Sequence, residues 1–289
     1  MIKIKIIGGL GNQLFQYAAA RALATKLGVK VSLDISAYES YDLHPFLLDK
    51  FNCNADFYKE KSLVEKFVLK AFSFKIFKKF TFIFFNKYYI ENDILFDNNI
   101  FKVKDNTKLF GYFQSEMYFA DIREQLLQEL TLIEPLSSAE MNICNEIKAS
   151  KSVSLHIRRG DYLYSDNANK THGVCNNEFF EKSISYLENE GVIGNDSILY
   201  IFSDDIAWCR NNLNFKYKMI FVDGNSNSPE IDMFLMSQCD HHIISNSTFS
   251  WWSAWLNPSD NKVVVSPELW FKNTDMDSKD IIPKSWIRL

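Results

Sequence analysis

The segment Val153–Tyr162, VSLHIRRGDY, places two guanidinium groups where a strand ends. Val153, Leu155 and Ile157 alternate with Ser154 and His156, as in a strand with one buried face. Arg158 and Arg159 follow, then Gly160 to turn the chain, with Asp161 just behind. Arginine forks match phosphate oxygens two at a time. In an open α/β sheet, ligands gather outside the carboxyl ends of the strands. The spacing points to a site for an anionic ligand, a phosphate or diphosphate. The competing reading is a surface arginine pair bridged to nearby acids.

Ser245 to Trp252, SNSTFSWW, is the second chemical cluster. A strand ends there in small hydroxyls that begin a helix. Backbone N–H groups and the side chains of Asn246, Ser247, Thr248 and Ser250 would bind an anion without a metal. The alternative is an N-cap with an aromatic core helix behind it, since Phe249, Trp252 and Trp255 share a helical face. Ser203-Asp204-Asp205 also follows a strand, so its carboxylates either reach the site or cap the next helix. His241 and His242 lack partners at metal-ligand spacing and read as packing or surface histidines.

Near the start, Gly8-Gly9-Leu10-Gly11-Asn12 forms a flexible turn between a strand and a helix. Gly9-x-Gly11 begins like a dinucleotide fingerprint, and Asp34 ends the second strand where a ribose-binding acid would stand. Leu14 occupies the position of the third glycine, so the pattern is incomplete. The helix start and the Asn12 and Gln13 amides could instead cradle a phosphate or meet a sugar.

The elements that must position these residues alternate in kind. Ile2–Ile7 reads as a strand, Gln13–Leu27 as an alanine-rich helix closed by Gly28, and Val29–Leu33 as a strand. A further strand is expected at Leu109–Phe113, with helices at Tyr118–Leu130 and Ser137–Lys148. Ser137 and Glu140 form a capping box for the second of these. From Val153 onward, strands and helices alternate to a last strand at Val263–Ser266, which implies a doubly wound parallel sheet. The expectation is an α/β chain of two Rossmann-like domains, residues 1–150 and 151–289, facing each other across a cleft. The first domain carries a Lys/Phe-rich insertion at about 57–90. That stretch reads as amphipathic helices packed on the first domain, or as a patch resting on an anionic membrane surface.

The chain has 289 residues and a net charge of −4, which argues against a general nucleic-acid partner. Five widely spaced cysteines make neither a disulfide framework nor a zinc cluster, and suit reduced thiols in a cytoplasmic protein. No secretory signal and no membrane-crossing run is read from the sequence.

Four separated stretches occur in one order: GGLGNQLFQYAAARALA at Gly8–Ala24, HIRRGDY at His156–Tyr162, YIFSDD at Tyr200–Asp205 and DMFLMSQCDHHIISNSTFSWWSAWL at Asp232–Leu256. Together with His172-Gly173-Val174-Cys175, they resemble the bacterial alpha-1,2-fucosyltransferases. The resemblance implies a GT-B-like fold, GDP-fucose as donor, inversion at the transferred carbon and no divalent metal or other cofactor. It implies that Arg158 holds the donor diphosphate and that Asp232 and His156 face the guanine and its ribose. Ser247, Thr248 and Phe249 would line the nucleotide pocket, and Asn12 would stand near the reacting sugar. Arg159, Asp204, Asn246 and Ser250 complete the expected donor side, and Gln13, Asp166 and His172 the acceptor side. The expected partners are GDP-fucose and a galactose-terminated oligosaccharide or lipid-linked glycan, with peripheral contact at the cytoplasmic face of the inner membrane.

The chemistry fits that assignment. Cleaving the fucose C1–O bond leaves negative charge on the nucleotide, and a preorganised guanidinium can take it. The acceptor hydroxyl must also lose a proton. Asp161 is the nearest carboxylate in sequence to the arginines, with Asp166, His172, Asp204 and Asp205 as rivals. Asp161 could equally orient an arginine. The alternatives are a fucosyltransferase of another linkage, a Rossmann-type NAD(P) oxidoreductase and a non-catalytic nucleotide-sugar binder.

Overall fold

A computed structural model describes residues 1–41, 43–60, 87–160, 173–223, 228–272 and 277–289. The chain divides into two compact units, Met1–Thr131 with Lys279–Ile281, and Leu132–Ser278 with Ile282–Leu289. Each is built on a parallel sheet.

In the first unit, β1 (Ile2–Lys5) leads through the glycine turn into α1 (Leu10–Leu27), then β2 (Val31–Asp34), β3 (Asp56–Tyr58), β4 (Tyr88–Ile90), β5 (Lys108–Phe110) and α2 (Arg123–Glu129). The strand order is β3-β2-β1-β5-β4, every pair parallel. Leu14, Phe15, Ala18, Ala19 and Leu23 are buried along α1, whose small alanines let it lie close on the sheet. Gly28 ends the helix in the left-handed conformation, φ 66°, and its N–H returns to the Ala24 and Thr25 carbonyls.

The Lys/Phe-rich stretch differs from expectation at its edges. Phe57 and Tyr58 belong to β3, and Tyr88–Ile90 is β4, so the segment springs from two strands of the sheet. Residues 61–86, and with them most of the stretch, lie outside the described residues. The expected helix at Tyr118–Leu130 is instead two 3₁₀ turns followed by the short α2.

The second unit runs α3 (Ser138–Lys148), β6 (Lys151–Ile157), α4 (Asn177–Asn189), β7 (Ser197–Ser203), α5 (Ile206–Asn212), β8 (Lys218–Phe221), α6 (Pro229–Ser237), β9 (His241–Ile243), α7 (Thr248–Leu256), β10 (Val264–Ser266) and β11 (Ile287–Arg288). Its order is β11-β10-β9-β6-β7-β8, again all parallel. Helices cover both faces. On one side Val153, Leu155, Ile157, Leu199 and Ile201 pack with Phe180, Ile184 and Leu187 of α4 and Cys209 of α5. On the other, Tyr200 and Phe202 pack with Cys144 and Ile147 of α3 and Ile231, Leu235 and Met236 of α6.

That second layer explains why the division falls at Thr131–Leu132 rather than near residue 150. Helix α3, with its Ser137–Glu140 capping box, buries its apolar side on the second sheet. It also corrects the reading of β6 as half exposed. Ser152, Ser154 and His156 are buried as well, because a parallel sheet is covered on both faces. Ser154 Oγ meets His242 Nδ1 at 2.8 Å, and the Ser152 N–H donates to Asp240 Oδ2 at 2.9 Å, so both buried serines are partnered. Among the described residues no helix is long and apolar enough to cross a membrane.

Candidate functional site

Strand β6 is the first strand of its unit and has β7 on one side and β9 on the other. The chain winds outward through β7 and β8, then reverses to β9. The crevice at the carboxyl ends of β6 and β9 is therefore a topological switch point, the place where open α/β sheets bind ligands. Arg158 and Arg159 follow β6, Ser203-Asp204-Asp205 ends β7, and Ser245–Ser247 follows β9.

The arginines are held from both neighbouring strand ends. On the β7 side, Arg158 Nε lies 3.2 Å from Asp204 Oδ2, and the Arg159 N–H donates to Asp204 Oδ1 at 2.9 Å. Arg159 Nε lies 3.6 Å from Asp205 Oδ2. The Arg159 guanidinium stacks on Trp208, 3.5 Å from the ring centre. On the β9 side, the Arg158 N–H donates to Ser245 Oγ at 3.3 Å, and that hydroxyl donates to the His156 carbonyl at 2.6 Å. A Cβ on Gly160 would stand 2.9 Å from Asp204 Oδ2, so any larger residue would displace this carboxylate.

The sequence left open whether Asp204 and Asp205 cap a helix or reach the site. Asp205 does both, since its Oδ1 accepts from the Trp208 N–H at 3.1 Å and caps α5. Asp204 serves the arginines. His156 is buried with its ring 5.6 Å from that of Phe249. Burial, reinforced by the Arg158 charge, pushes its imidazole down to about 3, so the ring is neutral. Its Nδ1 has no hydrogen-bond partner among the described residues.

The serine-rich start of α7 divides in role. Ser247 is the N-cap and accepts from the Phe249 N–H at 3.3 Å. Thr248 and Phe249 stand in the first turn, half-buried. Ser250 is buried and donates to the Ser247 carbonyl at 3.3 Å. The Asn246 amide is turned inward, donating to the Gly173 and Trp270 carbonyls, both at 3.3 Å, and so ties loops together. Asp232 lies half-buried in the first turn of α6, a helix that packs on α7. Asp161, Asp166 and His172 lie outside the described residues.

In the first unit, β1 lies between β2 and β5, and the glycine turn sits at that unit's own reversal point. Asn12 Oδ1 accepts from Gln114 Nε2 at 2.8 Å, a partner that nothing in the sequence signalled. Gln13 does not face a ligand. It is buried, donates to the Gly8 and Pro45 carbonyls at 3.0 and 2.8 Å, and accepts from the Leu47 N–H at 2.9 Å. Asp34 is likewise no ribose acid. It is fully buried and pairs with Lys108 Nζ at 2.7 Å, and this partner holds its carboxyl below the usual range despite burial. The incomplete glycine fingerprint therefore lacks its acid.

Two units, each built on a parallel sheet with a switch point, have the architecture of the GT-B fold class. NodZ fucosyltransferase from Bradyrhizobium superposes with a TM-score of 0.51 at 12% identity, over 89% of this chain and 93% of that one. Arabidopsis thaliana FUT1, in a variant bound to GDP, gives 0.52 at 11% identity over 91% and 69%. The chain belongs to glycosyl transferase family 11, which it matches over residues 1–289. An Escherichia coli alpha-1,2-colitosyltransferase is 34% identical over 100% of this chain and 99% of its own length. The E. coli O-antigen biosynthesis glycosyltransferase WbnK is 35% identical over 98% of each. Bovine galactoside alpha-(1,2)-fucosyltransferase 2 is 29% identical over 52% of this chain and 44% of its own.

Proposed function

We propose that this family 11 enzyme transfers L-fucose from GDP-fucose to the 2-hydroxyl of a terminal galactose in a glycan, with inversion and without a divalent metal. The observation that carries the reading is the arginine pair at the switch point, clamped by Asp204 beside the hydroxyl-rich start of α7. The acceptor oxygen attacks fucose C1 from the face opposite the nucleotide. The C1–O bond breaks, and its electron pair goes to the β-phosphate of GDP. Arg158 neutralises that charge, while Ser247, Thr248 and Phe249 seat the nucleotide. Asp161 takes the acceptor proton or orients an arginine, and Asn12 meets the reacting sugar. The name of the E. coli relative WbnK, an O-antigen biosynthesis glycosyltransferase, supports a bacterial surface polysaccharide as product. The site of action is then the cytoplasm, on a galactose-terminated or lipid-linked glycan at the inner membrane.

The experiment is GDP release from GDP-fucose by the full chain with a galactoside acceptor, in EDTA, with linkage analysis of the product. Galactoside-dependent release and an α-1,2 product are expected. Activity abolished by EDTA and restored by manganese would overturn the metal-free mechanism, and no release with any galactoside would overturn the activity.

The colitosyltransferase relative favours one second reading, in which the donor is GDP-colitose. A colitosyl group is a fucosyl group lacking one hydroxyl, so the two donors differ by a single hydrogen-bonding group. The ratio of kcat/KM for the two donors decides between them.

A further inference from the structure

We propose that Tyr41, His44 and Tyr112, with the Asn12–Gln114 amide pair, form a subsite for a neutral hexopyranose ring of the acceptor glycan. The proposal rests on the glycosyl-transfer reading above and names where the first unit holds its sugar.

Tyr38, Pro45 and Leu47 are clamped onto the glycine turn. Tyr38 Oη donates to the Gly8 carbonyl at 2.7 Å, and Gln13 joins the Pro45 carbonyl and the Leu47 N–H to the same turn. This clamp sets a line of rings along the turn. Tyr38 and Tyr41 meet edge to face at 5.8 Å, and Tyr41 and His44 lie 6.2 Å apart. His44 covers Gly9, with its Cδ2 3.4 Å from where a Cβ would stand. Tyr112 comes from the loop after β5, which the Glu91 carboxylate fixes by accepting the Tyr112 and Phe113 N–H groups at 2.6 and 2.9 Å. The same loop continues to Gln114, whose amide meets Asn12 at 2.8 Å beside the glycine turn. Asn12 and Gln114 add a joined pair of amides at the same strand ends.

The composition selects the ligand class. No lysine or arginine occurs from Tyr38 to Leu47, so the loop itself offers no cation to a phosphate. Yet it leaves Leu43 78% exposed and Tyr112 42% exposed. Rings and apolar surface take the C–H face of a pyranose, and amides take its hydroxyls. A bare anion has no C–H face to set against the rings.

The test is saturation-transfer NMR of lactose, a galactose-terminated disaccharide, with the full-length protein. Thermal shift by GDP serves as the control for fold and donor binding. Lactose signals are expected in the wild type, weakened about tenfold in Tyr112→Ala and in His44→Ala, and retained in Tyr112→Phe. The GDP shift should be equal in all four. Lactose signals undiminished in both alanine variants would overturn the subsite, as would their absence from a wild type that GDP stabilises. A wild type that binds lactose through these rings but releases no GDP from GDP-fucose would support the subsite and overturn the transfer reading.

Discussion

Asp204 holds Arg158 across the adjoining ends of β7 and β6, with Oδ2 3.2 Å from Nε. Both side chains are about one quarter exposed, so the pair contributes little to stability. Its value is geometric. A guanidinium gripped along its Nε edge keeps its plane, and the same carboxylate fixes the backbone of Arg159.

Arg158→Lys is expected to fail nearly as badly as Arg158→Ala. An ammonium carries the charge but cannot fork onto two oxygens. Both variants should lose about 100- to 1000-fold in kcat, by analogy with removal of one oxyanion donor. Steady-state GDP release measures it, and near-normal turnover in Arg158→Lys would defeat the bidentate argument.

Asp204→Asn and Gly160→Ala should act alike by different routes. The first removes the charge that grips Arg158, and the second drives a methyl group to within 2.9 Å of Asp204 Oδ2. Misplacement of this order costs about 100-fold in rate. We expect kcat to fall in both while the melting temperature moves little. A large loss of stability with unchanged kcat per folded molecule would assign Asp204 to the fold alone.

Acid should weaken the fold before any strong acid is needed. Burial pushes His156 and His242 down to about 3, helped by Arg158 at the first and by Lys262 and His241 at the second. In the unfolded chain these imidazoles take protons near 6.5. Between those values the unfolded state binds more protons, so stability is lost as pH falls from 6.5 toward 3. Glu91 works in the opposite sense, because burial pushes its carboxyl up to about 7 and its contribution is lost as pH rises from 4.5 through 7. Two histidines outweigh one glutamate. Melting temperature should therefore drop from pH 6.5 to pH 4, and a flat profile there would refute the buried neutral rings.

The buried Lys108–Asp34 pair gives a test of its own. Asp34→Ala leaves the Lys108 ammonium, 5% exposed, with Glu60 Oε2 at 3.2 Å as its carboxylate partner, and the loss of the charged hydrogen bond to Asp34 should cost about 1.5–3 kcal/mol. Replacing both partners, as in Asp34→Leu with Lys108→Met, should restore most of that loss. Urea denaturation reports it. A single variant as stable as the wild type would show that the pair is incidental.

Much of this was legible in the residues. The β6 pattern, the serine-rich helix start and the alternation of the second half led to the second sheet, because long alternating runs leave few options. The strands β3 and β4 were hidden, each three residues long and set in an aromatic, lysine-rich stretch without clear period. Side-chain roles were harder still. Gln13, Asn246 and Ser250 are polar residues in the right motifs, yet the structure turns them onto backbone carbonyls. Residue type says that an amide can bind a ligand, and only the surrounding loops decide which way it points. Trp208 and Gln114 came from elements with no chemical signature, so their partnership with Arg159 and Asn12 depends wholly on how the chain winds.

The indoles behind the serine cap have an optical consequence. Trp251, Trp252 and Trp255 lie on α7 with rings 5.1–6.1 Å apart, and Trp286 adds a fourth ring 5.4 Å from Trp251. Chromophores so close share excitation, and the helix that carries them begins at the expected nucleotide seat. Ultraviolet emission from the unlabelled protein would then report each filling and emptying of that seat in real time.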